Sequence, residues 1–272
     1  MLLTIDVSNS TIKAGVFKDE DIIAFWQIAT ERHKVADDYA MLFLNLFRAS
    51  NIDPTSITGV SISCVVPILR SVFRQFSIKY LNLESFIVGL DVNMGIKLAQ
   101  DYPSEVGGDR ITNAYATHVL YGGPAIAIAF GTATVFDCVS ADGVYLGGAI
   151  APGMIGALES LTARAAQLFK VELVRPPSAI GKNSMHAIQS GMVFGFAGLV
   201  ERMVERLKSE MAADSTGESI TVIATGGLAE VIAPETDVID VVDQQLTLKG
   251  LRLIYDLNHP IPSSPTPRQA NR

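Results

Sequence analysis

The sequence predicts an α/β protein made of two similar halves, and three observations carry that expectation. An apolar strand opens the chain and delivers Asp6 into a polar turn, from which a second strand, Ala14-Gly15-Val16-Phe17, leaves. A partial copy of this device returns at Ile128-Ala129-Phe130-Gly131-Thr132-Ala133-Thr134, with alanine where the first copy has Asp6. Between the copies stands Gly122-Gly123-Pro124, a strong breaker after which the pattern restarts.

The elements follow in order. Strand signals fall at 2–7, 12–18 and 21–28, with Lys18-Asp19-Glu20-Asp21 as the turn between the last two. Asp37-Asp38 start an amphipathic helix, because Tyr39, Leu42, Phe43, Leu46 and Phe47 recur at the spacing of one helical face. Residues 57–66 read as a buried strand, followed by a helix to about Tyr80 and a strand at 85–89. Three strands, then helix, strand, helix, strand, is the order of a ribonuclease-H-like half. A helix from near Asp109 leads to the glycine–proline breaker, and strands are expected again at 125–130, 132–140 and 144–150, with Ala141-Asp142-Gly143 as a hairpin turn. Helices are expected at about 153–169 and 183–211, a buried strand at 221–225, and a last helix at about 247–258. The domains are therefore expected at 1–117 and 118–258, with a ligand cleft between them. Residues 259–272, rich in proline and serine, read as a flexible tail.

Composition narrows the function. At 272 residues, 49% of them hydrophobic and 18% charged, the chain has core material for two modest domains. No apolar run reaches the ~18–20 residues that span a bilayer, and Asp6 interrupts the first apolar stretch, so neither a membrane partner nor a secretory signal is expected. Cys64 and Cys138 lie in strand-like surroundings without metal-ligand spacing and read as buried thiols of a cytoplasmic protein. A net charge of −7 with no basic cluster argues against nucleic acid as a partner.

Four segments carry candidate chemistry. The turn after Asp6 offers hydroxyls and backbone N–H groups to phosphates, and its carboxylate suits a hydrated Mg²⁺; the same residues also make ordinary turns. In Val106-Gly107-Gly108-Asp109-Arg110, two glycines permit close approach to a ligand. Asp109 can accept a proton from an attacking alcohol and Arg110 can hold a carboxylate; equally, they form a helix cap and a surface arginine. Ile180-Gly181-Lys182-Asn183-Ser184 is either a turn capping the long helix or a ligand-facing hydroxyl. Ala224-Thr225-Gly226-Gly227 suits a flat adenine against backbone, or a plain strand-to-helix link.

With these residues in view, the chain resembles the type III pantothenate kinases of the actin/Hsp70/sugar-kinase superfamily. The likeness runs to about residue 258. It includes residues 6–13, 106–110, 131–134 with Asp137, Tyr145 to Gly153, 180–184, Ser190-Gly191, 224–228 and 246–251. The resemblance implies two ribonuclease-H-like domains and a homodimer with substrate near its interface. The implied reaction is ATP-dependent phosphorylation of pantothenate, the first step towards coenzyme A. It further implies that Asp6, Val7, Ser8, Asn9, Ser10, Thr11, Ile12, Lys13 and Thr132 contact ATP, and that Asp6 holds Mg²⁺. Gly107, Gly108, Asp109, Arg110 and Ser184 would bind pantothenate, with Asp109 as general base.

The chain also departs from that family pattern. Ala129 stands where an aspartate usually serves a monovalent cation (K⁺ or NH₄⁺), and Ser8 where glycine is usual. Gln100 aligns with a tyrosine that often lines the pantothenate pocket, Gly108 replaces a frequent alanine, and Ser184 keeps the hydroxyl of the usual threonine. A methyl group cannot coordinate a cation. Three expectations follow: a kinase that works without K⁺, with a lysine or another acid (Asp137 is the nearest) standing in; a slow kinase; or an inactive homologue with a ligand-binding or regulatory role.

Overall fold

Leu2–Val7 forms β1 at the centre of the first sheet, because its side chains are apolar on one face and Thr4 and Asp6 sit on the other. The computed structural model describes residues 1–89, 91–164, 168–213 and 219–260. β2 (Thr11–Lys18) and β3 (Asp21–Ala29) complete an antiparallel meander with β1. β4 (Gly59–Cys64) and the short β5 (Phe86–Ile87) add in parallel, giving the order β3-β2-β1-β4-β5. Helices α1 (Ala36–Ala49) and α2 (Pro67–Phe76) cover one face. There Tyr39, Phe43, Phe47, Phe73 and Phe76 are fully buried in an aromatic cluster. Each such ring contributes about 1.5–3 kcal/mol on burial, so Phe43→Ala would cost this layer about 3–5 kcal/mol.

The second sheet repeats the plan. β7 (Ala125–Phe130), β8 (Ala133–Val139) and β9 (Val144–Pro152) form the meander; β10 (Thr221–Gly226) and β11 (Val241–Val242) add in parallel. One strand from the first half of the sequence, β6 (Lys97–Leu98), extends it beside β9, so the order is β11-β10-β7-β8-β9-β6. Its outer face packs on α4 (Met154–Arg164), the long α5 (Ser184–Ala213) and the short α6 (Ala229–Ile232). Both sheets run meander first, parallel strands second, and this is the duplicated ribonuclease-H-like architecture expected from the sequence.

Two helices lie between the sheets, each serving both. α3 (Gly108–Tyr121) packs on β7, β8 and β4; α7 (Leu246–Asn258) packs on β1, β2, β4 and α3. Their shared core joins Phe17, Ile111, Ala114, Val139, Leu248, Leu251 and Ile254. Close approach requires small residues here: a Cβ on Gly250 would press on Thr112 of α3. The division expected at 117/118 falls inside α3, whose residues are helical without a break.

Differences from the expected elements are local. The strand expected at 57–66 is confined to Gly59–Cys64, because Val65 and Val66 turn into α2 at Pro67. The helix expected at 153–169 is described to Arg164; residues 165–167, and the tail from 261 onward, lie outside the described residues. Cys64 and Cys138 are free and buried, as expected. Among the described residues, no helix is long and apolar enough to cross a membrane.

Candidate active site

The site forms where β1, β7 and the N-terminus of α3 end together. Asp6 is the next-to-last residue of β1, paired with Lys13 across β2 and Ser63 across β4. Its Oδ2 accepts a hydrogen bond from Ser8 Oγ at 3.2 Å, while its buried Oδ1 has no partner. Burial, reinforced by the negative charge of Asp109, pushes the Asp6 carboxyl up to about 7; Ser8, Lys13 and Ser63 act in the opposite direction. Burial also raises Asp109, although hydrogen bonds from backbone N–H groups at the start of α3 oppose it. The Asp6 carboxyl thus lies within the field of a second carboxylate from another element, a setting that a bound cation would stabilise.

The turn after Asp6 is braced from its own side. Ser8 N–H donates to Thr11 O at 3.1 Å, Thr30 Oγ1 donates to Ser8 O at 2.7 Å, and Arg32 donates to Asn9 Oδ1 at 2.9 Å. Ser8 turns its hydroxyl back to Asp6. Val7 and Ile12 are fully buried among α1 and α2, so only their backbone is available to a nucleotide. Lys13 Nζ donates to Gln244 O at 3.3 Å, and burial lowers its pKa, against the pull of Asp6 and Asp243.

The opposing turn comes from the second half. Ser10 Oγ and Thr132 Oγ1 lie 3.4 Å apart, so the two turns meet. Two glycines let the chain pack behind Thr132. A Cβ on Gly153 would overlap the carbonyl oxygens of Gly131 and Thr132, and Gly226, at φ +98°, lies against Phe130 O. Ala129 pairs with Val135 and Thr225; the Thr225 hydroxyl beside it is buried without a partner.

Gly107 is the N-cap of α3, and a side chain there would strike the Asp109 carboxylate. Gly108 lies against Val88 O, which a Cβ would approach to 3.3 Å. Arg110, read from the sequence as a carboxylate binder or a surface arginine, is neither free nor fully exposed. Its Nε and Nη2 donate to Asp137 Oδ1 at 2.9 and 2.7 Å, leaving its remaining N–H groups for a ligand. Asp137, expected as an alternative cation ligand, is engaged by that contact. Sequence reasoning missed the braces Thr30 and Arg32, and Tyr145 as a partner of Asp137; their partners are distant in the chain and no spacing rule connects them. Ser184 stands apart on the exposed first turn of α5, with no hydrogen bond to residues 107–110 among the described residues. Asn183, not Ser184, caps that helix by accepting from His186 N–H at 2.8 Å.

This geometry agrees with what the chain is similar to. The family model described as type III pantothenate kinase matches residues 2–206. A type III pantothenate kinase of Roseiflexus sp. (strain RS-1) is 51% identical over 95% of this chain and 99% of its own length. Another, of Moorella thermoacetica, is 45% identical over 95% and 100%. Among solved structures, the inorganic polyphosphate/ATP-glucomannokinase of Arthrobacter sp. strain KM shares the fold alone. Its TM-score is 0.51 at 13% identity, over 95% of this chain and 99% of that one. The fold, the paired turns and the relatives agree that the chain belongs to the type III pantothenate kinase family.

Proposed function

We propose that the protein transfers the γ-phosphoryl group of ATP to the primary hydroxyl of pantothenate, giving 4′-phosphopantothenate. The observation that carries this reading is the meeting of the Ser10 and Thr132 hydroxyls on the turns that follow β1 and β7, with Asp6 at the end of β1 within the field of Asp109. The unpartnered Oδ1 of Asp6 fits a divalent cation, and Mg²⁺ typically takes one or two protein carboxylates with phosphate oxygens completing its shell. When bound, Mg²⁺ neutralises charge on the phosphates. Residues 8–10 and 131–132 then hold the phosphates from two sides, using hydroxyls and backbone N–H groups. Asp109 accepts the proton of the attacking hydroxyl at its carboxylate. Its raised pKa suits this, although the transfer rests mostly on positioning and charge stabilisation. Gly107 and Gly108 leave room for the substrate, and the free edge of Arg110 faces it.

K⁺ or NH₄⁺ has no carboxylate at Ala129, so the reaction proceeds without a monovalent cation there. The chain acts as a homodimer in the cytoplasm. Support for the dimer comes from exposed apolar side chains, Ile150 in β9, Ile155 in α4, and Ile180 and Met185 around Ser184. Incubation with ATP, Mg²⁺ and pantothenate, with phosphopantothenate measured, tests the reading. Turnover is expected; its absence with and without K⁺ or NH₄⁺ would return the protein to a binding or regulatory role.

A further inference from the structure

We propose that Asp137 and Tyr145 are positioning residues for this transfer, acting through Arg110; this rests on residues 107–110 being the pantothenate site. Three donors from two other elements converge on one oxygen of Asp137. Arg110, in the first turn of α3, supplies Nε at 2.9 Å and Nη2 at 2.7 Å; Tyr145, in β9, supplies its hydroxyl at 2.7 Å. A line of polar contacts thus runs from Tyr145 in β9 through Asp137 in β8 to the helix that carries Asp109.

The surroundings are built for that line. Asp137 pairs with Ala127 on one side and Gly148 on the other, so neither neighbour crowds the path of the guanidinium. The Asp137 side chain is 1% exposed and that of Arg110 is 19% exposed. One edge of the guanidinium is therefore fixed by buried partners while the other reaches solvent next to Asp109. A planar, five-donor group anchored along one edge presents the other in a defined direction. Tyr145 narrows the choice further, because its fully buried ring fixes where the shared oxygen can sit. Arg110 stacks near that ring, with its central carbon 5.9 Å from the centroid.

A structural ion pair alone would make the same contacts, so the test must separate the two. Tyr145→Phe keeps the ring in the core and removes only the hydroxyl. Its KM for pantothenate is expected to rise roughly 3–10-fold, a loss of the size of one net hydrogen bond, with KM for ATP within about twofold. In an Arg110→Ala background the same change should add nothing, since Tyr145 then has no guanidinium to orient. Calorimetric binding of pantothenate gives a second readout that needs no turnover. Unaltered pantothenate KM and affinity in Tyr145→Phe would overturn the proposal, as would a full additional loss in the Arg110→Ala background. Failure of the wild-type protein to phosphorylate pantothenate would overturn the assigned reaction instead.

Discussion

Ser10 and Thr132, separated by 122 residues, bring their hydroxyl oxygens within 3.4 Å. In the proposed reaction both turns hold the triphosphate, and the contact brings them to the same place. Hydrogen bonds to charged groups contribute about 1.5–3 kcal/mol each. Thr132→Val should therefore raise KM for ATP about 10–100-fold and leave KM for pantothenate within a few-fold. Steady-state kinetics with each substrate varied in turn would check this, and an unmoved ATP KM would remove Thr132 from the nucleotide site.

Asp109 should separate binding from chemistry. General-base contributions are typically 10²–10⁴-fold, so Asp109→Asn should lower kcat on that order while pantothenate affinity changes only a few-fold. Equal losses in kcat and in calorimetric affinity would assign Asp109 to binding alone.

Asp6 has a cost that the ligand-free protein bears. Its folded pKa of about 7 lies above the ordinary aspartate value of 3.8, so between those values the native state holds more protons than the unfolded state. Stability then falls as pH rises from about 4 to about 7, by about 4 kcal/mol from this group at full ionisation. Asp6→Asn should raise Tm of the ligand-free protein at pH 8 and raise it much less at pH 5, while removing turnover. Thermal unfolding at both pH values decides it; an equal shift at both would show that ionisation is not the cause.

Ala129 makes cation dependence a direct measurement. Rates in K⁺, NH₄⁺ and Na⁺ at one ionic strength should agree within about twofold, because a carbon side chain offers no ligand. A strong preference for K⁺ would mean that other groups near Thr225 supply the site.

Much of the fold was legible because its elements carry local signals. The apolar alternation of β1, the helical spacing from Tyr39 to Phe47, and the breaker before β7 each act within a few residues. The two-residue strands β6 and β11 carry no such signal, since neighbouring strands create them by pairing at a sheet edge. The site divides in the same way. Asp6, Thr132 and Asp109 were visible as turn and helix-start residues, whereas the Arg110–Asp137–Tyr145 cluster depends on α3 packing against the second sheet. Lys13 resembles an ordinary strand lysine until α7 brings Gln244 to it, 231 residues away.

The placement of α7 on the first sheet has a consequence for how the chain can be divided. The repeat visible in the sequence is a unit of ancestry, but it is not a unit of assembly. Cutting near Gly122 would strip β1, β2 and β4 of the helix that covers Phe17, and would leave Ser61 without the Leu251 carbonyl that accepts its hydroxyl. The severed pieces would each present an unfinished apolar face, and each would find its missing layer in the other. Reassembly from two polypeptides, rather than folding of either one, is the behaviour this interleaving prescribes.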